Sequence, residues 1–463
     1  MMMNERRNIS EGQPLSRILT GEKVSGAAAV LEGEVFVVCD RAVRHLADDL
    51  VRESRSLAET GQVSAVIRAI LPIDASEAEK GMDTVLAICR WLLESGADRS
   101  SLLLAIGGGI TTDMAGFAAS IYKRGIRFAF IPTTLLAQVD AAIGGKTGVN
   151  FMDFKNMLGV IRQPEWTWIC PEPLRTLPLR DFRSGAAELL KTFLLENRKD
   201  HYARSVRLLT ELCGAGAGSA CPDTVTKGAG SACFDTVAME AEGGQKAEQS
   251  GARPAFAPAL ERELQDLIAA AAAVKAGVVS RDAEEHGERR ILNLGHTFAH
   301  GIEWAAQQQS HDAGEGRESV THGEAVAIGI VLAARLAEKL GLAENSPADP
   351  VDAADERERP GAAADFGKKG LAARLTADFT ACGLPTESPF PLDVLETAMA
   401  KDKKADGSAV RFILPVAVGK VVEKRLTVSE ALTLLGKGAT CSDGPRDDAS
   451  LDLPDTGASY KKI

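Results

Sequence analysis

Apolar, strand-like runs alternate with helical stretches over the first 170 residues, and this order limits the possible folds more than any other feature. The runs EVFVVCD (34–40), SLLLAIGGG (101–109) and IRFAFIPTT (126–134) each end in Asp, Gly or Pro-Thr, which favour turns. Between them, MDTVLAICRWLLESG (82–96) has apolar residues at helical spacing. Alternation of this kind predicts an α/β fold, with a parallel sheet and helices on its faces.

Helical patterns dominate after about Pro171, where the strand signals fade. The clearest patterns are ELQDLIAAAAAVKAGVVSRDAEEHG (263–287), HGEAVAIGIVLAARLAEKLG (322–341) and VLETAMAKDKK (394–404). We therefore predict an α/β domain over residues 1–171, followed by a mainly α-helical domain over residues 172–437.

Three stretches have compositions that are unsuited to a packed core. Residues 213–257 are rich in Gly, Ala and Ser, and residues 344–370 and 438–463 have the same character. Because such segments bury too little apolar surface to order themselves, we predict two surface insertions and a disordered tail. QQQSHDAGEGRES (307–319) is predicted to be a smaller loop, with His311 in solvent.

The composition excludes several classes of partner. The net charge is −11 and there is no long basic block, which argues against binding to nucleic acid or to an anionic membrane. No apolar run reaches the roughly 18 residues of a membrane helix, and MMMNERRNIS lacks the apolar core of a secretory signal. The eight cysteines form no C-x-x-C pair, so we expect reduced thiols in a cytoplasmic protein.

Two glycine-rich segments are candidate anion sites. AIGGGITTDMAGF (105–117) follows a strand and opens a helix, so it is either a phosphate cradle or a tight structural turn. It is not the dinucleotide fingerprint, because Thr112 occupies the third glycine position. AAIGGKTGVN (141–150) is not a P-loop, because Asp140 stands five residues before Gly145. It is predicted to be a flexible turn that presents Lys146.

A pair of histidines is found in LNLGHTFAHGIE (292–303). His296 and His300 lie four residues apart in a predicted helix, so both rings project from one face. The zinc-protease pattern H-E-x-x-H does not match, because Thr297 stands where the glutamate should be. From spacing alone, the pair is as compatible with core or surface histidines as with a functional site.

Several strings taken together resemble the 3-dehydroquinate synthase family, and they run in the family's order. They are GGGITTDMAGFAASIYKRGIRFAFIPTTLLAQVDAAIGGKTGVN, FKNMLG, LPLRDFRSGAAELLK, KAGVVSRDAEEHGERRILNLGHTFAHGIE and THGEAVAIG. The resemblance covers most of the chain from about Asp40 to Lys437, apart from the insertions, which are longer than usual. One further departure is Thr112, which stands where the family usually has Gly before Asp113.

The resemblance implies a Rossmann-like NAD-binding α/β domain, a helical metal-binding domain and an active site in the cleft between them. It also implies a homodimer that uses NAD and a divalent metal, zinc or cobalt. By motif, the metal ligands are Glu188, His296 and His322. One carboxylate and two imidazoles suit zinc and leave positions open for substrate oxygens.

The same resemblance implies roles for further residues. Those implied for catalysis are His300, which faces the substrate phosphate, and Lys191, Asp140 and Glu285. Those implied for substrate binding are Arg124, which reaches the partner subunit's site, and Lys146, Asn156, Lys275, Arg289, Asn293 and Lys404, with Lys403 an alternative to the last. Those implied for NAD binding are Asp40, Glu77, Lys80, Gly108, Gly109, Ile110, Thr111, Thr112, Asp113, Thr133, Thr134, Lys146, Lys155, Leu174 and Thr176.

The reaction implied is conversion of 3-deoxy-D-arabino-heptulosonate 7-phosphate to 3-dehydroquinate and phosphate. It proceeds by transient oxidation, β-elimination of phosphate, re-reduction and aldol closure. One alternative is another NAD- and metal-dependent sugar phosphate cyclase, against which the carboxylate partners Lys275 and Arg289 argue. A second is a metal-dependent alcohol dehydrogenase, which would accumulate NADH. A third is a silent scaffold, against which the occupancy of every assigned position argues.

Overall fold

The computed structural model describes residues 16–152, 154–214, 256–313, 320–343, 370–402 and 409–436. The strands are β1 (Arg17–Thr20), β2 (Glu34–Asp40), β3 (Val66–Ile73), β4 (Leu102–Gly107), β5 (Arg127–Pro132), β6 (Lys146–Phe151), β7 (Phe154–Ile161), β8 (Trp166–Ile169), β9 (Val410–Ala417) and β10 (Lys420–Leu426). Six of them form one sheet in the order β1-β8-β5-β4-β2-β3, and each of its pairings is parallel. The predicted parallel sheet is confirmed.

The sheet is covered by apolar clusters on both faces, and strand β2 shows why. Its side chains alternate, so that Phe36 and Val38 join one cluster while Val35 and Val37 join the other. Because both faces are buried, the strand appears in the sequence as a continuous apolar run. Helix α1 (Arg44–Glu59) covers one face, and helices α2 (Met82–Glu94) and α3 (Gly109–Ile121) cover the other.

The C-terminal part is mainly helical, as predicted. Its helices are α4 (Leu179–Leu194), α5 (Lys199–Cys213), α6 (Pro258–Arg281), α7 (His296–Ala313), α8 (His322–Lys339), α9 (Leu371–Ala381), α10 (Leu392–Asp402) and α11 (Val428–Leu434). They share one large core, in which α8 is largely enclosed: thirteen of its 18 residues are buried. A helix that is apolar on nearly all sides belongs at the centre of such a core.

Glycines allow α8 to approach its neighbours more closely than other residues would. A Cβ atom on Gly329 would collide with the carbonyl oxygen of Gly295, just before α7. One on Gly323 would collide with the backbone of Ser184 in α4. Gly295 itself has a φ of +78°, a left-handed conformation that favours glycine. The beginning of α7 is therefore held against the middle of α8, and the beginning of α8 against α4.

Several local predictions were wrong. Helix α7 continues through Ala313, so the first half of the loop predicted at 307–319 is helical. Two antiparallel hairpins, β6–β7 and β9–β10, were not predicted. The segment 292–303 is helical only from His296, because a 3₁₀ turn (Glu288–Asn293) precedes it.

The two predicted insertions lie outside the described residues, except for a few residues at their ends. The predicted tail, Lys403 and Lys404 lie entirely outside them. The described cysteines, which are Cys39, Cys89, Cys170, Cys213 and Cys382, carry reduced sulfur atoms. Among the helices that the structure describes, none is long and apolar enough to cross a bilayer.

Substitution of Gly329 tests the close contact between α7 and α8. We expect Gly329→Ala to destabilise the protein by about 1–3 kcal/mol, because the added methyl group overlaps the carbonyl of Gly295. Chemical denaturation monitored by circular dichroism measures the change. Gly81→Ala is the matched control, since no atom lies within 4 Å of a Cβ built there. Equal midpoints for both variants and the wild type would contradict this packing argument.

Candidate metal and substrate site

Three side chains from separate helices converge at one point. Glu188 lies in α4, while His296 and His322 are the first residues of α7 and α8. One candidate ligand atom from each lies within 4.8 Å of the other two. The Nε2 atoms of His296 and His322 are 3.7 and 3.3 Å from Oε1 of Glu188. The structure thus brings together the three residues expected to bind metal.

The orientation of His296 is set by the main chain. Its Nδ1 lies 3.1 Å from the carbonyl oxygen of Leu294, which can only accept, so Nδ1 carries the proton and donates. The lone pair of Nε2 then points toward Glu188. Burial, assisted by the nearby Lys191 ammonium, lowers the pKa of His296 to about 3. A neutral imidazole is the form that binds a metal ion.

The environment of Glu188 fits a bound cation. The side chain is fully buried, and neither carboxylate oxygen accepts a hydrogen bond of good geometry from a described residue. Burial acts to raise the pKa of Glu188, but the Lys191 ammonium and the two histidines outweigh it and hold that pKa well below its usual range. A buried, ionised carboxylate facing two imidazole nitrogens is a donor set suited to a divalent metal.

Glu303 was not predicted as part of the site, yet it contacts the third ligand. Its Oε1 lies 3.4 Å from Nδ1 of His322 and 3.3 Å from Nζ of Lys155. Burial acts to lower the pKa of His322, but Glu188 and Glu303 raise it to about 10 in the metal-free site, so binding of a metal there would release the proton on Nε2. The position of Glu303, seven residues after His296, puts it on the same helix face, which was the available signal.

A chain of alternating charges leads away from Glu188. Lys191 is in contact with Glu188 and lies 3.7 Å from Oδ2 of Asp140, and Asp140 is in contact with Lys275. The Lys275 ammonium also donates to the carbonyl of Asp140 at 2.7 Å. Burial acts to raise the pKa of Asp140, but the two lysines lower it. Four residues implied by the resemblance are therefore adjacent, and each charge has an opposite neighbour.

A second polar group surrounds Glu285, which has an unusual φ of +62° for a residue with a side chain. Its carboxylate is in contact with Lys146 and accepts from Asn293 at 2.6 Å. The loop that carries Glu285, between α6 and residue 289, is held by Asp282. The Asp282 carboxylate accepts hydrogen bonds from the backbone N–H groups of residues 286, 287 and 289 at 2.7 to 2.9 Å. Asp282 was not predicted as a site residue.

Arg289 is 2% exposed and lies beside the glycine turn. Its guanidinium donates to the carbonyl of Gly144 at 3.0 Å and to that of Ala283 at 2.6 Å. Those bonds fix the guanidinium plane, and a fixed guanidinium is suited to a carboxylate ligand.

The candidate NAD residues lie at the carboxyl ends of the central strands. Strand β3, which follows β2 in the chain, lies on one side of β2, and β4 lies on the other side. The direction in which successive strands are added to the sheet therefore reverses between β2 and β4. Asp40 ends β2, and Gly108 precedes α3 directly after β4. Ligands of open parallel sheets bind at such a switch point. A Cβ atom on Gly108 would lie 3.0 Å from Thr134, so the turn is also tightly packed.

Lys80 joins this region to the β6–β7 hairpin. Its buried ammonium donates to Asp113 at 2.7 Å and to the side chain of Asn156 at 2.6 Å. Asn150 donates to Glu77 at 2.9 Å and accepts the backbone N–H of Asn156 at the same distance. Burial raises the pKa of Asp113 to about 6 in spite of Lys80.

The other predicted residues differ in their exposure. The side chains of Thr111, Thr112 and Leu174 are buried in the core, so a ligand contact there would use the main chain. Arg124 and His300 are exposed. The His300 ring centroid lies 5.8 Å from that of His296.

Two family models match the chain, one for each part of the same enzyme. The model described as 3-dehydroquinate synthase N-terminal matches residues 70–184, and that described as 3-dehydroquinate synthase C-terminal matches residues 239–357. A 3-dehydroquinate synthase of Microcystis aeruginosa is 35% identical over 369 residues, which are 80% of this chain and 78% of that protein. One of Acidithiobacillus ferrooxidans is 34% identical over 86% of each chain.

Solved structures resemble the chain along nearly its whole length. The 2-epi-5-epi-valiolone synthase ValA from Streptomyces hygroscopicus, with NAD⁺ and Zn²⁺ bound, is 25% identical with a TM-score of 0.64, over 94% of this chain and 99% of that one. A 2-deoxy-scyllo-inosose synthase complexed with carbaglucose-6-phosphate, NAD⁺ and Co²⁺ has a TM-score of 0.63 at 21% identity, and supports the fold alone. With both family models matched and curated relatives aligned over more than two thirds of its length, the chain belongs to the 3-dehydroquinate synthase family.

Proposed function

We propose that the chain converts 3-deoxy-D-arabino-heptulosonate 7-phosphate to 3-dehydroquinate and phosphate. The observation that carries this proposal is the convergence of Glu188, His296 and His322 beside the charge chain of Lys191, Asp140 and Lys275. The reaction is that named for relatives such as those from Microcystis and Acidithiobacillus. Neither alternative enzyme class has comparable support from sequence similarity.

The cofactors proposed are NAD and zinc. Glu188, His296 and His322 would hold the metal, and the switch point between β2 and β4, with Lys80, Asp113 and Lys155 nearby, would hold NAD. When bound, the metal supplies a Lewis acid for a substrate hydroxyl, and NAD accepts and returns a hydride. A bound metal and NAD⁺ in ValA, which has the same fold, support this assignment.

The protein's own groups would bind and orient an anionic sugar phosphate. Lys275 and Arg289 are assigned to the substrate carboxylate. Lys146, Asn156, Asn293, His300 and a lysine of KDKK are assigned to the phosphate. Lys191 is buried and the Asp140 side chain is 18% exposed, and both are already paired with opposite charges. They can therefore hold a substrate hydroxyl and a proton without rearrangement. This gathering of cations allows a protein of net charge −11 to bind an anion.

We also propose that the enzyme is a homodimer in which Arg124 reaches the partner's site. In support, Arg124 is exposed and lies in a turn with a φ of +68°. The β6–β7 hairpin exposes large apolar side chains, including Phe154 at 46% and Met157 at 54%, which a subunit contact would cover. Analytical ultracentrifugation of the full chain measures the oligomeric state.

Phosphate release without net NADH is the expected signature of the reaction. With the heptulosonate phosphate, NAD and Zn²⁺, the wild type should release phosphate at constant NADH absorbance, because the hydride is returned in each turnover. Glu188→Gln should bind little Zn²⁺, measured by inductively coupled plasma spectrometry, and should release phosphate only at background rate. Steady NADH accumulation would instead indicate an alcohol dehydrogenase. Absence of both phosphate release and NADH formation would contradict the proposal.

Substitution of Arg289 by lysine tests the carboxylate assignment. A lysine cannot form the two-pronged contact, so we expect KM for the heptulosonate phosphate to rise about tenfold or more, with a smaller effect on kcat. Steady-state phosphate release measures both constants. Arg281→Lys is the matched control, because Arg281 pairs with Glu288 on the surface. Unchanged KM in Arg289→Lys would remove the reason for preferring this substrate over one without a carboxylate.

A further inference from the structure

We propose that Glu303 is a positioning residue that orients His322 toward the metal. The inference rests on the proposed metal centre, and it adds a residue to which the family resemblance assigns no role. The two ring nitrogens of His322 face carboxylates on opposite sides: Nε2 faces Glu188 at 3.3 Å and Nδ1 faces Glu303 at 3.4 Å. A proton on Nδ1, directed at Glu303, leaves the lone pair of Nε2 directed at the metal position.

The two histidines obtain this orientation in different ways. His296 is fixed by a backbone carbonyl, that of Leu294, which no side-chain substitution removes. His322 is the first residue of α8, and its side chain is 33% exposed, so its ring has more freedom to turn. Glu303 lies in the neighbouring helix α7 and is 11% exposed, so it is a well-fixed partner. Loss of its carboxylate should therefore affect His322 more than His296.

Lys155 completes the arrangement from the other side. Its ammonium lies 3.3 Å from Oε1 of Glu303, so this carboxylate, which is 11% exposed, has a cation as well as an imidazole to compensate its charge. Lys155 is in β7, next to Asn156, and Asn156 accepts a hydrogen bond from Lys80 at 2.6 Å. The hairpin thus contacts the metal site with one residue and the candidate NAD region with the next.

The test measures metal affinity, without substrate, on the full-length protein. We expect Glu303→Gln to bind Zn²⁺ about tenfold or more weakly in competition with a chelator, which is the usual effect of losing such a partner. The absorption bands of bound Co²⁺ should also change, because the ring of His322 turns. The matched control is Glu196→Gln, which alters another glutamate–histidine pair, since Oε2 of Glu196 lies 2.6 Å from Nδ1 of His201. That variant should bind Zn²⁺ like the wild type.

A purely structural role for Glu303 has a different signature. It would lower the Tm of the metal-free protein in EDTA and leave Zn²⁺ affinity unchanged, and that result overturns the proposal. The proposal expects a smaller Tm increase on adding Zn²⁺ than the wild type shows, whatever the metal-free Tm. If Glu303→Gln does not fold, Glu303→Asp replaces it. Its carboxylate is one methylene too short to reach both partners, so unchanged affinity in that variant also overturns the proposal.

This measurement is independent of the enzyme's substrate. If the wild type bound Zn²⁺ but released no phosphate from the heptulosonate phosphate, the proposed reaction would fail while the role of Glu303 remained testable. If the wild type released phosphate and Glu303→Gln bound Zn²⁺ as tightly as Glu196→Gln, the reaction would stand and the role of Glu303 would fail. The two proposals therefore fail separately.

Discussion

The buried carboxylate of Glu188 is the constraint on which the site depends. Removing an ionised carboxylate from water costs several kcal/mol unless opposite charges or lone-pair partners compensate it. Lys191 provides a charge from the same helix, and the two histidines arrive from α7 and α8. They can arrive only because glycines at 295, 323 and 329 permit backbone contact between the helices. The compensation of the buried charge therefore depends on the close packing of the helices.

The charges are also ordered along a line that connects the two parts of the chain. Glu188, Lys191, Asp140 and Lys275 alternate in sign, and Asp140 lies in a short helical turn (Ala137–Ala141) just beyond β5. Because each group is already paired, the polar surface is organised before a ligand arrives, which is the condition for strong electrostatic stabilisation. A site built in this way needs both the sheet and the helices.

The fold class could be predicted because buried parallel strands, such as β4, appear as continuous apolar runs. The β6–β7 hairpin could not, because Phe154 and Met157 are exposed and no alternation marks an inner face. Spacing could not group Glu188, His296 and His322, which lie in separate helices; only resemblance over whole strings linked them. Glu303 shares a helix face with His296, but its contact with His322 depends on how α7 packs against α8.

The β6–β7 hairpin has a mechanical consequence for the cleft. Lys155 and Asn156 are neighbours in one short strand, yet the first contacts Glu303 and the second contacts Lys80. The peptide bond between them is planar, and the side chain of Asn150 accepts the backbone N–H of Asn156, so the two residues are held in one short piece of backbone. A movement of the β6–β7 hairpin would therefore displace the Lys155–Glu303 contact and the Asn156–Lys80 contact together. The candidate NAD residues and the candidate metal site are therefore coupled through this short segment of backbone.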